Sequence, residues 1–288
     1  MSERALITHG RSDLFWVTGG DAVSFLDGLI SQNISAIPAG GTGRSLLLAP
    51  NGKLRALLFV LRDNDRVGLV CDSGVAVAAK DDLRRFRIRV DVEFEDEPRP
   101  IWEVWGERAA ELVKSVPPAG RWAEDGGTIS FSMPLQRVDI DRVVVVGTRP
   151  EVGSEDPDAL ERLRIAAGEP VMGVDVDEKT IPQEAVDVYS YVDFGKGCYL
   201  GQELVARIDS RGHVNRRLSG LVLDGEELPR HGEDVIAADK RVGKVTSATR
   251  SERHGGVLAL GMIRVEVEPE TAVTVGGVAG RVVALPIR

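Results

Sequence analysis

The sequence predicts an α+β protein in which antiparallel sheets and helices precede a small C-terminal β-barrel. Over the first two thirds of the chain, apolar residues recur at helical spacing in some segments and alternate as in strands in others. From Arg217 onward, short apolar runs are separated by glycine, proline and aspartate, which is typical of a barrel of about 70 residues. We therefore predict one region at residues 1–213 and a barrel domain at residues 214–288.

The first region opens with a helix and a meander of strands. Asp21 is a good N-cap, and the apolar stripe that follows predicts a helix. Asn51-Gly52 is a strong hairpin signal between two apolar runs, and residues 66–71 predict a third adjacent antiparallel strand. Further elements are predicted as helices at residues 75–86 and 109–113 and as strands at residues 88–94, 101–105 and 138–146.

Two later helices have clear ends. Asp156 followed by Pro157 predicts a helix start, and Gly168 predicts its end. A second pattern runs from Gln202 to Ile208 and is expected to end near Gly212.

Composition narrows the class of protein. Of 288 residues, 43% are hydrophobic and 28% are charged, so the chain is expected to fold, and no apolar run approaches the roughly 18 residues of a membrane span. The net charge of −9 argues against general nucleic-acid binding. The first ten residues lack the pattern of a secretory signal, and the two cysteines are far apart, so we predict a cytosolic protein with free thiols.

The most informative segment is the octapeptide at residues 196–203, which reads KGCYLGQE. It places Cys198 in a glycine-bracketed turn before a predicted helix N-terminus, with Lys196 two residues away. Unpaired helix N–H groups and an ammonium both favour the thiolate, which is the nucleophilic form. We predict that Cys198 and Lys196 are catalytic, whereas Cys71 ends an apolar strand and is expected to be core. Position alone leaves open that Cys198 is a small apolar filler.

Taken together, several motifs resemble the YgfZ family of folate-binding proteins, which are relatives of the glycine-cleavage T-protein. The octapeptide is the specific match. The supporting matches are Gly20-Asp21-Ala22, Phe25-Leu26, Ala49-Pro50-Asn51-Gly52-Lys53, Arg164-Ile165, Gly168-Glu169-Pro170, Gly173-Val174-Asp175, Ile181-Pro182-Gln183-Glu184-Ala185, Gly243-Lys244-Val245-Thr246-Ser247 and Ala259-Leu260-Gly261. The resemblance implies a T-protein-like multidomain fold, with residues 1–213 forming two interleaved subdomains that bind folate.

The resemblance also implies a binding site for tetrahydrofolate or a derivative, in a cavity between domains. A glutamate in a Pro-x-Glu-Ala context contacts the pterin ring in T-protein relatives, and one carboxylate suits the two donors of the pterin edge. A cationic cluster at Arg207, Arg211, His213, Arg216 and Arg217 is either a solvated face or a rim for the folate tail. The folate-binding residues that we predict are Glu184, Tyr199, Gln202, Arg207 and Arg164.

Three functions remain open at this point. The resemblance favours a folate-binding protein that supports assembly or maintenance of iron-sulfur enzymes through Cys198, with assembly factors or client enzymes as partners. A tetrahydrofolate-dependent aminomethyltransferase or related one-carbon transferase is the first alternative. It is weakened because Asp72 stands too early for the T-protein aspartate and the accompanying asparagine is missing. A non-catalytic scaffold for iron-sulfur proteins is the second. No tightly bound metal is expected from this chain alone, because the histidines lack ligand spacing and Cys198 has no neighbouring cysteine.

Overall fold

A computed structural model describes residues 5–288, except for the side chain of Arg211. Residues 1–4 therefore lie outside the described residues. They are part of the segment from which we predict that a secretory signal is absent. The chain divides into two compact units. The first comprises residues 1–134, 139–155 and 187–207, and the second comprises residues 135–138, 156–186 and 208–288. The sequence-predicted boundary at residue 213 isolates the barrel, and it stays a proposal.

The first unit contains two five-stranded antiparallel sheets among its described residues. The first sheet has the spatial order β3 (Gly41–Leu48), β4 (Leu54–Arg62), β5 (Arg66–Asp72), β2 (Ser12–Thr18) and β6 (Glu93–Asp96). The second sheet has the order β1 (Leu6–His9), β7 (Ile101–Gly106), β10 (Asp141–Val146), β9 (Thr128–Ser132) and β8 (Trp122–Asp125). The three helices that lie wholly in this unit are α1 (Ala22–Asp27), α2 (Ala76–Arg84) and α3 (Ala109–Leu112).

The predicted meander of three antiparallel strands is confirmed. Strands β3, β4 and β5 are neighbours, and the Asn51-Gly52 turn joins the first two. The predicted strand at residues 88–94 is wrong in its bounds, because β6 begins only at Glu93. Arg89 has a φ of 56° and Ile88 is 72% exposed. A left-handed residue interrupts an extended strand, so the alternation of apolar and charged residues there misled the prediction.

Alternation along the strands gives the first sheet two buried faces. Ala56, Leu58 and Val60 of β4 pack with α1 and α2, whereas Phe59 and Leu61 pack with apolar residues of the second sheet. This period of two is what an antiparallel strand covered on both faces requires.

The second unit contains a closed six-stranded barrel. Its strands run in the order β11 (Arg216–Asp224), β14 (Gly256–Arg264), β13 (Lys240–Ser251), β12 (Asp234–Ala237), β15 (Ala272–Val275) and β16 (Val278–Val283). Closure pairs β11 with β16, so the barrel has no free edge. The predicted C-terminal β-barrel is confirmed.

Helix α4 (Pro157–Ala167) belongs to this unit and packs on β13 and β14. The Asp156 side chain accepts a hydrogen bond from the Ala159 N–H, and Gly168 ends the helix at a φ of 71°. Both ends agree with the sequence prediction. The last helix, α5 (Gln202–Arg211), starts in the first unit and ends in the second.

Candidate functional site

The two cysteines have opposite environments. Cys198 is exposed in the turn before α5, and Cys71 is buried at the end of β5. Burial raises the pKa of the Cys71 thiol far above its usual range, and the charges of Asp13 and Asp72 raise it further. Cys71 is therefore an inert core residue, as predicted, and Cys198 is the thiol that solvent reaches.

Lys196 is held by backbone groups. Its Nζ donates hydrogen bonds to three backbone carbonyls, those of Asp27 at 2.7 Å, Ile30 at 2.9 Å and Gln32 at 2.7 Å. The Nζ also lies 3.5 Å from the Asp27 Oδ1. The side chain is 3% exposed, and burial lowers the pKa of its ammonium, an effect that Asp27 and Asp193 only partly oppose. All three N–H donors are occupied, and the catalytic role of Lys196 stays a prediction.

The turn that carries Cys198 packs, at its Gly201 end, against the hairpin turn between β3 and β4. Gly201 has a φ of 80°, and a Cβ there would stand 2.5 Å from the Ala49 carbonyl oxygen. Gly52 has a φ of 78°, and a Cβ there would stand 2.4 Å from the Leu204 Cβ. Two glycines are needed because the backbones approach closely and both residues are left-handed. The Ala49–Lys53 motif and the octapeptide are thus neighbours in space.

Three of the predicted folate ligands lie in or beside this turn. The Gln202 Oε1 accepts a hydrogen bond from the Tyr199 N–H at 3.1 Å, so the Gln202 side chain satisfies a backbone N–H group just before α5. Burial raises the pKa of Tyr199 to about 12, and the Lys196 Nζ lies 5.5 Å from its ring centroid. Arg207 is exposed on α5. Their contact with a folate stays a prediction.

The candidate pterin ligand, Glu184, is buried in the second unit and is already paired. Arg216 donates from Nε to Oε1 at 3.0 Å and from Nη2 to Oε2 at 3.2 Å, and the Ile181 N–H also donates to Oε2. Glu184 is 6% exposed and Arg216 is 40% exposed, so solvent reaches the pair from the arginine side. A short 3₁₀ turn at Pro182–Glu184 fixes the carboxylate.

Arg216 also acts on a second carboxylate. Burial opposes ionisation of Asp177, yet hydrogen bonds from Lys179 and Thr180 and the positive charge of Arg216 leave its pKa below the usual range. The sequence pointed to Arg216 only as one of a cationic cluster. Arg216 and Glu184 are 32 residues apart in the sequence, so no short-range pattern predicts their pairing.

Arg164, a predicted folate ligand, is buried and paired within the protein. Its side chain is 2% exposed, and its five N–H groups all donate hydrogen bonds to neighbouring protein groups. The acceptors are the Glu161 carboxylate, twice, together with the Glu169 carbonyl, the Asp175 carboxylate and the Ser247 hydroxyl. The contact of Arg164 with folate stays a prediction.

Asp175 is the centre of the same network. Its side chain is 0% exposed and accepts hydrogen bonds from Thr246 at 2.6 Å and from Ser247 at 2.7 Å. Four sequence motifs, those that contain Arg164, Glu169, Asp175 and Ser247, therefore meet as a buried polar network that joins α4 to β13. The signal was present in the sequence, because Arg164 falls on the apolar stripe of α4 between Leu160 and Ala167.

The predicted residues thus form two groups. Cys198, Lys196, Tyr199, Gln202 and Arg207 lie in the first unit, and Glu184 and Arg164 lie in the second. In residues 5–288 no cluster of three or more His, Cys, Asp or Glu side chains is arranged to hold a metal ion. Over the same range, no helix has the length and apolar character needed to cross a membrane.

The fold defines a class. Over 99% of this chain and 86% of the other, the structure superposes on the glycine cleavage system aminomethyltransferase T from Bartonella henselae, with a TM-score of 0.85 and 20% identity. The family model of the glycine cleavage T-protein C-terminal barrel domain matches residues 216–287. The chain has the T-protein fold, as the resemblance implied.

Sequence relatives refine the class. The chain is 27% identical to the tRNA-modifying protein YgfZ of Escherichia coli O17:K52:H18, over 92% of this chain and 87% of that protein. It is 25% identical to the iron-sulfur cluster assembly factor IBA57 homolog of Pyricularia oryzae, over 92% and 72%. It is also 25% identical to an aminomethyltransferase of Rubrobacter xylanophilus, over 93% and 78%. Together with the motifs described above, these matches show that the chain is similar to proteins of the YgfZ family and to their relative, the glycine-cleavage T-protein.

Proposed function

We propose that this protein binds a reduced folate and supports the assembly or maintenance of iron-sulfur enzymes in the cytosol through the thiol of Cys198. The observation that carries the proposal is the exposed thiol, held in an anchored turn within a T-protein fold. The names of the IBA57 and YgfZ relatives support the iron-sulfur role and the family assignment. The net charge of −9 favours an indirect route to tRNA modification, through a client enzyme, over direct tRNA binding.

The chemistry of a single exposed thiol limits what Cys198 does. A thiolate attacks the outer sulfur of a partner's persulfide, so that a new S–S bond forms at Cys198 while the old S–S bond breaks and the partner's thiolate leaves. Alternatively, it donates one ligand to a cluster whose other ligands come from a partner. A complete cluster site needs more sulfur ligands than the described residues bring together. The proposal therefore requires a partner protein, either an assembly factor or a client enzyme.

Folate recognition is proposed to use an exchange of partners at Glu184. Arg216 occupies one acceptor position on each carboxylate oxygen, and we propose that the two donors of a pterin edge take its place. The displaced guanidinium then turns to solvent, which already reaches it. The folate tail lies at the opposite end of the ligand from the pterin edge, so its carboxylate is assigned to other cations of the cluster that follows Cys198.

Complementation of a null strain tests the role of the thiol. Wild-type protein, Cys198→Ala and, as a matched control, Cys71→Ala are compared by the activities of several iron-sulfur enzymes. We expect Cys198→Ala to lose most of the rescue and Cys71→Ala to retain it wherever the protein accumulates. Equal rescue by Cys198→Ala and wild type would refute the thiol role and favour the scaffold.

Titration with tetrahydrofolate tests the binding site. Glu184→Ala should weaken binding roughly ten- to a hundredfold, because the donors of the pterin edge lose their acceptor. The control is Glu227→Ala, which changes an exposed glutamate of the barrel unit. Unchanged affinity in Glu184→Ala would remove this residue from the site.

The aminomethyltransferase remains the second candidate, since relatives with that name match over most of the chain. Asp72 ends β5 opposite Ser12, and it does not stand at the spacing of the T-protein aspartate. The direct assay is folate-dependent release of ammonia from an aminomethylated lipoyl carrier. Turnover in that assay would replace the leading proposal with this one.

A further inference from the structure

The ammonium of Lys196 occupies a cage of backbone carbonyls. The three acceptors belong to Asp27, Ile30 and Gln32, which follow one another from the last residue of α1 into the segment before β3. Carbonyls at a helix C-terminus lack intrahelical partners, and a cation there satisfies them and the helix dipole together. An ammonium has three N–H donors, so their number equals the number of carbonyl acceptors in the cage.

The same short segment holds the chain before Cys198 by two further hydrogen bonds. The Ser31 hydroxyl donates to the Tyr191 carbonyl at 2.7 Å, and the Asp193 N–H donates to the Ser31 carbonyl at 3.1 Å. Beyond Cys198, Gly201 packs on the Ala49–Gly52 turn. The turn is thus held on both sides of Cys198, while the cysteine itself stays exposed.

Lys196 is the strongest of these anchors, because it is the contact nearest to Cys198 and makes three of the hydrogen bonds. Removing the ammonium leaves three carbonyls without their donor, and a carbonyl without a partner favours local opening. The opening is expected in residues 27–32 and 191–201, which are the two segments that the ammonium joins.

We propose that Lys196 is a positioning residue that holds the Cys198 turn in its reactive arrangement through backbone carbonyls, without contacting the reacting atoms. The proposal rests on the proposed function in that Cys198 is taken as the reacting group. It differs from the catalytic role expected from the sequence, because the three donors of the ammonium bind backbone carbonyls and its charge is paired with the Asp27 carboxylate, which leaves no donor for a substrate.

The test compares Lys196→Met, Lys196→Arg and the control Lys114→Met, which replaces an exposed lysine of the same unit. Methionine keeps the length of the stem and removes the donors, whereas arginine keeps the charge but does not place three N–H groups at one point. Hydrogen exchange with mass spectrometry and the rate of alkylation of Cys198 by iodoacetamide, measured against pH, are the readouts.

In Lys196→Met we expect peptides covering residues 27–32 and 191–201 to exchange about ten- to a hundredfold faster. Peptides of the barrel should keep their wild-type rates, and the alkylation profile should differ from wild type. Lys196→Arg should show exchange rates between those of wild type and Lys196→Met. It serves as the test if the methionine variant fails to fold. Wild-type exchange and alkylation in a folded Lys196→Met, or in the arginine variant in its place, would overturn the proposal.

Failure of the positioning role is distinguishable from failure of the proposed function. Hydrogen exchange and alkylation report on the turn itself, whatever the protein does in the cell. If they change in Lys196→Met while Cys198→Ala rescues the null strain fully, the positioning role holds and the thiol function fails. If they do not change while Cys198→Ala abolishes rescue, the thiol function holds and the positioning role fails.

Discussion

The Cys198 turn and the Glu184 turn arrange charge and exposure in opposite ways. At Cys198 the cation is buried and bound to the backbone, and the reactive group is exposed. At Glu184 the candidate ligand group is buried, and its cation is 40% exposed. In the function that we propose, the first arrangement presents a thiol to a partner protein, and the second keeps a carboxylate paired until a ligand replaces the arginine.

The exposed fraction of the cation distinguishes a structural cation from one that is able to exchange partners. Lys196 and Arg164 are each at most 3% exposed and have their N–H donors occupied. Arg216 is accessible and bonds a single side chain in the described structure. Exposure of the cation, more than its charge, indicates which of these residues is able to change partners.

Thiol labelling should give the largest contrast. With the protein folded, one thiol per chain should react with iodoacetamide, and Cys198→Ala should remove that reaction. Cys71 reacts only after opening of the core, which makes it about 1,000-fold slower or more, given ordinary domain stability. Mass spectrometry of labelled peptides measures both rates, with denatured protein as the control. Comparable labelling of Cys71 in the folded protein would contradict its placement in the core.

Replacing the buried arginine should cost more stability than replacing the accessible one. Arg164→Met leaves the Asp175 carboxylate buried without its cation, so the free energy of unfolding should fall by about 3 to 5 kcal/mol. Urea denaturation measures the loss, and Arg241→Met, which alters a largely exposed barrel arginine, is the control. A loss below about 1 kcal/mol would mean that the network is not the scaffold described above.

Arg216→Met should have a smaller effect on stability. Glu184 keeps the hydrogen bond from the Ile181 N–H and loses only the partly exposed pair, so we expect a loss of about 1 to 2 kcal/mol. Calorimetry with tetrahydrofolate then tests the exchange at Glu184. If the exchange model holds, the pterin edge has no competitor in Arg216→Met, and the affinity should rise. Unchanged or weaker affinity would refute the exchange.

The smallest effect concerns Tyr199. Burial raises its pKa to about 12, so the folded state keeps this proton between pH 10 and pH 12. The associated stability is present below pH 10 and is lost as pH rises toward 12. Absorbance titration of tyrosinate should show a late-ionising component that is smaller in Tyr199→Phe than in wild type. In denaturant this difference should vanish, and an unchanged late component in folded Tyr199→Phe would contradict the assignment.

The sequence by itself determined much of the local structure. The cap at Asp156, the glycine at 168 and the Asn51-Gly52 turn predicted element boundaries because they act over a few residues. The fold class and the barrel followed from periodicity and from resemblance. The error at residues 88–94 arose where a left-handed arginine interrupts an alternating pattern, and periodicity carries no information on φ.

Only the tertiary structure decided what the motif residues do. Lys196 bonds carbonyls more than 160 residues away, Arg164 bonds Ser247 at a separation of 83 residues, and Arg216 pairs with Glu184 at a separation of 32. When only the spacing is known, a lysine near a cysteine indicates a catalytic role. Burial and long-range hydrogen bonding depend on which segments pack together, and short-range patterns do not encode that. The sequence therefore located the thiol, and the fold determined which partners the charged residues around each turn bind and how far solvent reaches them.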